Sequence, residues 1–179
     1  ESVYKKNGFE NEIKNLKSLV SIKSISRAFV ALPNNKNSAK SRMYILEKLN
    51  YKNITGIDFS EEMLAIARSK KIYKKLICQS LNEKIELRSK QFGLIICTGV
   101  LTSGHVGPSA MHELVRILKP QGFFICSIAE SVYKKNGFEK EIKNLKNLVS
   151  IKSISKAFVA LPNNKNSAKS RMYILEKLK

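Results

Sequence analysis

The sequence predicts an α/β fold: a doubly wound, mostly parallel sheet with an antiparallel C-terminal hairpin. Three observations lead to this prediction. Strand-like runs alternate with helix-like runs from Asn50 onward, one central run is apolar throughout, and the last two strand-like runs have no helix between them. Alternating strands and helices imply parallel strands joined by right-handed crossovers, whereas a closing pair without a helix implies an antiparallel end.

The first elements of this pattern lie between residues 53 and 79. The stretch "NITGID", residues 53–58, is a strand candidate, and "KLICQ", residues 75–79, is a second one. Ser60 is expected to cap the helix between them, because a serine oxygen accepts N–H groups at a helix start. Glu61 and Glu62 lie in the first turn, where the helix dipole favours negative charge. The apolar side of this helix consists of Met63, Leu64, Ile66 and Ala67.

The later elements follow the same alternation. The run "FGLIICTGVL", residues 92–101, is apolar along its length, as expected of a strand covered on both faces. A helix is predicted from Ser109 and should end at "KPQG", before a fourth strand in "GFFICSIA". One further helical face follows, and the closing strand pair is "KAFVAL" with "RMYILEKL". That last helical face consists of Phe138, Ile142, Leu145 and Val149.

Two nearly identical copies of one segment flank the middle of the chain. Residues 1–49 and 130–178 agree at 46 of 49 positions and differ only at Asn11/Lys140, Ser18/Asn147 and Arg27/Lys156. Solenoid repeats follow one another directly, whereas these copies enclose a unique segment, residues 50–129. We therefore predict two parts, a duplicated copy of the C-terminal part at 1–49 and a truncated domain at 50–179. Because the chain starts with Glu1, we interpret it as a fragment of a longer sequence.

The charge of the chain bears on its partners. The net charge is +19, but only six of the 33 cations are arginines, and the cations form neither a basic stripe nor a pattern interleaved with aromatic residues. Clustered cations are what phosphate recognition needs, so nucleic acid is an unfavoured partner and a basic nucleic-acid-binding protein stays an alternative. The apolar runs are too short to span a bilayer, and we expect no membrane partner.

The cysteines predict the compartment. Cys78, Cys97 and Cys126 are far apart, and each lies in an apolar run. This spacing fits neither a zinc site nor a disulfide framework, so no metal site is expected. Buried free thiols in a reducing compartment are the favoured interpretation, which predicts an intracellular, cytoplasmic location.

Three stretches carry a resemblance to a known family. They are "ITGIDFSEEMLAIARSK", "FGLIICTGVL" and "MHELVRILKPQGFFICSIAE". In order and spacing they resemble the class I S-adenosylmethionine-dependent methyltransferases, most closely the small methyltransferase-like group of the Williams-Beuren region. The resemblance runs from about Leu46 to the C-terminus. It implies a Rossmann-like fold, S-adenosylmethionine as cofactor, and methyl transfer to a small-molecule or otherwise unknown acceptor.

The resemblance assigns roles to residues after the first two strands of this region. Asp58 corresponds to the acid that accepts hydrogen bonds from both ribose hydroxyls, and its alternative is a helix-capping aspartate. Phe59 and Met63 correspond to positions that flank the adenosine, although the sequence alone favours core positions for both. Ser80 and Leu81 correspond to the contact with the adenine edge. The acidic or amide residue common in the family is not evident there.

Two further assignments lie near the third strand of the resemblance. Thr98 and Gly99 end that strand, below the expected methionine end of the cofactor. His105 lies on the loop that follows, where substrates approach in parallel sheets. A histidine there can act as a base at neutral pH, and its alternative is an ordinary loop position.

The chain departs from the family at its most diagnostic part. The first strand and its glycine-rich loop are missing from the middle segment. We hypothesise that the first copy replaces them, with "AFVAL" at 28–32 as a strand, "PNNKNS" as a loop and residues 39–50 as a helix capped by Ser38. Asparagines tolerate positive φ but add bulk where glycines let the backbone approach a cofactor, so weakened or absent cofactor binding is expected.

A second hypothesis comes from a different class. Here the protein is a non-catalytic remnant or an oligomerisation module, in which the spare tail strands pair between chains as a strand-swapped homo-oligomer.

Overall fold

The computed structural model describes residues 28–31, 53–159 and 169–179. In this part of the chain the strands are β1 Ala28–Ala31, β2 Ile54–Asp58, β3 Tyr73–Cys78, β4 Phe92–Leu101, β5 Leu118–Ala129, β6 Val149–Ile154, β7 Phe158–Val159 and β8 Lys169–Lys177. The helices are α1 Glu61–Ser69, α2 Ala110–Ile117, α3 Glu130–Tyr133 and α4 Phe138–Asn144, and a 3-10 turn at Leu145–Asn147 extends the last one.

The strands form one mixed sheet in the order β3-β2-β1-β4-β5-β8-β6, with β7 beside β8. Strands β1 to β5 are parallel to one another, whereas β8 is antiparallel to its neighbours β5, β6 and β7. The predicted fold class is therefore confirmed. The chain winds outward from β1 through β2 to β3 and then returns to β4 on the other side of β1. Ligands of such sheets bind beyond the strand ends at this switch point.

The central strand β1 belongs to the first copy of the repeated segment. Phe29 pairs with Thr55 of β2 and with Ile95 of β4, and the side chains of Phe29 and Val30 are fully buried. The matching residues of the second copy, Phe158 and Val159, form only the short strand β7 beside β8. The loop and helix expected at residues 33–50 lie outside the described residues, and the division of the chain at residue 49 stays a prediction.

Local signals set several element boundaries. Helix α1 starts after Ser60, whose Oγ accepts the N–H of Met63 at 3.3 Å, as predicted. Helix α2 ends at Ile117, but the "KPQG" stretch continues directly into β5 as an irregular strand start. There a Cβ on Gly122 would lie 2.9 Å from the carbonyl oxygen of Lys119 and 3.0 Å from that of Gly93. Only glycine fits this approach without a backbone shift.

Three sequence-based expectations are wrong in detail. Val149 begins strand β6 and is not part of the last helix, which ends at the turn around Leu145. The predicted pair of closing strands is present as the short β7 beside β8, but the longer antiparallel partner of β8 is β6, in which Ile151 pairs with Leu175. Cys78 is exposed, because β3 is an edge strand of the described sheet, whereas Cys97 and Cys126 are buried as expected.

A lysine fastens the last strand to the helix layer. Lys177 is buried, and its Nζ donates to the carbonyl oxygens of Val115 at 2.6 Å and Leu118 at 2.8 Å. A cation is favourable at a helix C-terminus, where carbonyl groups lack partners in the helix. This contact fixes the end of β8 against the end of α2. None of the helices in the described residues is long and apolar enough to cross a membrane.

Candidate functional site

A cavity of about 350 Å³ lies at the carboxyl ends of β2, β3 and β4, and we call it the switch-point cavity. The structure brings most of the sequence-predicted site residues together in its lining. These are Asp58, Phe59, Ser80, Leu81, Gly99 and His105. Met63 and Thr98 do not line it. Met63 lies partly buried in the first turn of α1, and Thr98 is buried within β4.

Asp58 is the last residue of β2 and the only aspartate in the sequence. Its side chain is 5% exposed, and Oδ1 accepts the N–H of Ser60 at 2.9 Å. Its carbonyl oxygen accepts the N–H of Gln79 from the end of β3 at 2.9 Å. The carboxylate is thus held at the point where the strand ends and the helix begins, at the floor of the cavity.

Phe59 leaves the strand at the rim of the same cavity. Its side chain is 64% exposed, so the core position that the sequence alone favoured is wrong. The direction of the chain explains this, because Phe59 lies between the buried end of β2 and the cap of α1. An exposed aromatic ring beside a carboxylate offers a flat apolar surface to a ring of a ligand.

The thiol of Cys78 lies behind this rim. Cys78 Sγ donates to the carbonyl oxygen of Phe59 at 3.6 Å. A hydrogen bond to Glu61, followed by desolvation, raises the pKa of the thiol above its usual value. The raised pKa favours the protonated thiol, which is the form that donates the hydrogen bond to Phe59.

Amide side chains line the other side of the cavity, and the sequence-based prediction missed them. Asn82 follows Leu81 directly, and its Oδ1 accepts the N–H of Gly107 at 2.9 Å. Gln79 Nε2 donates to the carbonyl oxygen of Lys84 at 2.7 Å. The two amides stand in the sequence as "QSLN", residues 79–82, but the sequence alone does not fix where β3 ends and therefore does not single out Asn82.

A charged pair on α2 fixes the loop that carries these residues. Glu113 Oε2 accepts the N–H of Ile85 at 2.9 Å, while Arg116 donates to the carbonyl oxygens of Ile85 and Leu87, both at 2.8 Å. Arg116 also donates to both carboxylate oxygens of Glu113 at 2.9 Å. The bond from Arg116 lowers the pKa of Glu113 below its usual value, against the opposing effect of desolvation. The loop after β3 is therefore tied to the helix layer.

The end of β4 forms the third side of the cavity, and its backbone departs from regular strand geometry at Gly99. Gly99 has a φ of +73°, a conformation that favours glycine, and its N–H donates to Ser127 Oγ of β5 at 2.8 Å. His105 lies exposed on the following loop, where its N–H donates to the carbonyl oxygen of Thr102 at 3.3 Å. The cavity thus offers a carboxylate and amides at one end, and backbone with a histidine at the other.

Comparisons with known proteins agree with this geometry. Residues 39–126 match a family model described as a methyltransferase domain. The N-methyltransferase NodS from Bradyrhizobium japonicum, solved in complex with S-adenosyl-L-homocysteine, is 16% identical at a TM-score of 0.66, over 98% of this chain and 91% of that one. An S-adenosylmethionine-dependent methyltransferase from Methanosarcina mazei is 13% identical at a TM-score of 0.65, over 92% of this chain and 97% of that one.

Another solved structure has the same fold under a different name. The cyclase SpnF is 11% identical at a TM-score of 0.65, over 94% of this chain and 80% of that one. A search of curated proteins found no significant match. At such identities structural similarity shows a shared fold, and one fold hosts several chemistries. The chemistry must therefore be argued from the residues of the cavity.

Proposed function

We propose that this chain is a class I S-adenosylmethionine-dependent methyltransferase, which binds S-adenosylmethionine in the switch-point cavity and transfers the methyl group to a small-molecule acceptor. The observation that carries the proposal is the position of Asp58. Asp58 is the last residue of β2, which runs parallel to the neighbouring strand β1, and it lines the cavity. The volume of about 350 Å³ lies within the range of small-molecule sites, which is roughly 300–1,000 Å³.

The residues around Asp58 fit the cofactor that the family uses. A carboxylate with two acceptor oxygens suits a pair of ribose hydroxyls. The exposed Phe59 and the amide of Asn82 line the same cavity as Asp58, and they offer an aromatic ring and a polar group to a flat heteroaromatic base.

Methyl transfer makes modest demands on protein chemistry. Bound S-adenosylmethionine supplies a methyl group activated by a sulfonium. In the cavity lining, Asp58 would hold the ribose of the cofactor and Phe59 its adenine. The proton of the acceptor then leaves to water or to His105, the histidine in the cavity lining. In this proposal the chain contributes mainly in-line positioning.

Calorimetry with S-adenosyl-L-homocysteine tests the proposal. Asp58→Asn keeps the side-chain shape but removes the charge, and a hydrogen bond to a charged group contributes about 1.5–3 kcal/mol. We therefore expect at least a tenfold loss of affinity, since about 1.4 kcal/mol corresponds to a factor of ten. The control is Glu62→Gln, an equal change of charge at an exposed position of α1, and it should change the affinity less than twofold.

Two results would contradict the proposal. One is equal affinity of the wild-type protein and Asp58→Asn. The other is no detectable binding by the wild-type protein, which would favour the non-catalytic alternative and the expectation that the missing glycines abolish binding.

A further inference from the structure

A second cavity, of about 220 Å³, lies where β5 ends and β8 begins. We call it the tyrosine pocket, and its lining consists of Ile128, Glu130, Tyr133, Lys134, Arg171 and Tyr173. Because β8 runs antiparallel to β5, with Ser170 opposite Ala129, its first residues lie at the edge of the sheet where the parallel strands end. The tyrosine pocket and the switch-point cavity therefore lie along the same edge.

The two cavities are close neighbours. Strands β4 and β5 are adjacent, and Leu101 pairs with Ile128 of the tyrosine pocket. Neighbouring strands lie about 4.8 Å apart. The N–H of Gly99, in the lining of the first cavity, donates to Ser127 Oγ, one residue before Ile128. The linings of the two cavities therefore include residues from the ends of adjacent strands, β4 and β5.

Aromatic rings form one wall of the tyrosine pocket. The rings of Tyr133 and Tyr173 are stacked, with centroids 5.8 Å apart and planes 14° apart. Tyr173 is 4% exposed, and burial followed by the nearby Tyr133 raises the pKa of its hydroxyl, which therefore stays protonated. The partly buried ring of Tyr133 therefore offers the aromatic surface of this pocket, and Tyr173 supports it from behind.

The charges around this wall favour an anion. Arg171 Nε donates to Glu130 Oε1 at 2.9 Å, and a longer bond of 3.5 Å joins Nη1 to the carbonyl oxygen of Ser155. These bonds use only some of the N–H donors of a guanidinium, which can also hold a second carboxylate. The charge of Glu130 is compensated by Arg171, so the ammonium of the exposed Lys134 gives the lining an excess positive charge.

We infer that the tyrosine pocket binds the acceptor of the proposed methyl transfer, and that this acceptor is a small molecule with a flat body and a carboxylate. The flat body packs on the tyrosine wall, while Arg171 and Lys134 bind the carboxylate. The volume of about 220 Å³ is below the range of drug-sized sites, roughly 300–1,000 Å³, so the molecule is small. The inference rests on the proposed function for the role of the ligand, but the pocket can be tested without the cofactor.

Benzoate and its neutral analogue benzamide are the probes. Calorimetry or ligand-observed NMR on the full chain should show that benzoate binds at least tenfold more tightly than benzamide. Lys134→Gln removes an exposed cation and should weaken benzoate binding several-fold without loss of folding. The control is Lys135→Gln, the adjacent exposed lysine outside the lining, and it should change nothing. Arg171→Gln should abolish the preference for benzoate, and Arg171→Lys should restore part of it.

The outcomes separate this inference from the proposed function. Benzoate binding that S-adenosyl-L-homocysteine leaves unchanged or strengthens supports the tyrosine pocket. Competition between the two ligands would put benzoate in the switch-point cavity and overturn the inference, as would equal binding of benzoate and benzamide or no effect of Lys134→Gln. Binding of S-adenosyl-L-homocysteine without benzoate binding overturns only the inference. The reverse result overturns the proposed function and with it the acceptor role, but it supports the tyrosine pocket as a carboxylate site.

Discussion

The two copies of "AFVAL" provide a matched pair of mutations for testing the fold. Phe29 and Phe158 share the same local sequence, but Phe29 is fully buried in the central strand β1 and Phe158 is partly buried in the short strand β7. Local propensity and effects on the unfolded chain should therefore be nearly equal for Phe29→Ala and Phe158→Ala. Any difference between the two variants reports the tertiary environment.

The structure sets the expected magnitude. The ring of Phe29 lies against that of Phe92, with centroids 5.2 Å apart and planes at 59°. Truncation of a buried phenylalanine to alanine costs about 3–5 kcal/mol, of which an aromatic pair contributes about 0.5–1.5 kcal/mol. Phe158 is only partly buried, and its truncation should cost about 1 kcal/mol. We expect Phe29→Ala to be less stable than Phe158→Ala by about 2–4 kcal/mol.

Equilibrium unfolding in urea, followed by far-UV circular dichroism, measures this difference. The chain has no tryptophan, so intrinsic tryptophan fluorescence cannot serve as the probe. If the free energy of unfolding falls with urea concentration at the same slope (the m-value) for both variants, their free energies of unfolding can be compared directly. Equal losses within about 1 kcal/mol, or a larger loss for Phe158→Ala, would refute the assignment of residues 28–31 to the centre of the sheet.

Two further predictions follow from contacts within the fold. Gly122→Ala should lower the free energy of unfolding by about 1–3 kcal/mol, because the new Cβ meets backbone oxygens within 3.0 Å. The control is Gly107→Ala, whose Cβ meets only a side-chain oxygen at 3.7 Å and which should cost little. Equal losses for the two variants would contradict this account. The pKa of Glu113 is lowered by Arg116, so its stabilisation is present above its usual value of 4.5 and is lost as the pH falls through the lowered pKa. Glu113→Gln should therefore be less stable than the wild-type protein by about 1 kcal/mol at neutral pH. Urea unfolding at a series of pH values should show this difference shrinking at acidic pH. A difference independent of pH would argue against a stabilising ion pair between Glu113 and Arg116.

Patterns of strong local character carried most of the fold prediction. The strand "FGLIICTGVL" was predicted with the bounds that the structure has for β4, because a long apolar run with this composition packs on both faces. The start of α1 was predicted from Ser60 and its two following glutamates, and the Oγ of Ser60 caps the helix as expected. These features depend on residues within a few positions of each other, so the sequence alone was sufficient.

Features set by distant contacts were predicted less well. Val149 continues a helical spacing from Phe138, but the pairing of β6 with β8 decides its conformation. Phe59 looks like a core residue by composition, but its exposure follows from its place just after a strand end. Asn82 enters the cavity lining because Glu113 and Arg116 fix its loop from about 30 positions away along the chain. Tertiary context overrides local preference in each case.

The repeated segment shows the same principle and bears on the swapped-oligomer alternative. If the first copy were spare, as that alternative supposes, its strand could leave the fold at little cost. In the structure, however, Phe29 and Val30 of this copy are fully buried between β2 and β4. Full burial of such a side chain contributes about 1.5–3 kcal/mol to stability, and release of β1 would lose this contribution. Release would also expose the central part of the sheet. An exchange between chains is therefore consistent with this fold only if another copy of "AFVAL" takes the place of β1. Where that copy is the second one, the larger loss of stability would move to Phe158→Ala, and the comparison of the two variants would detect it.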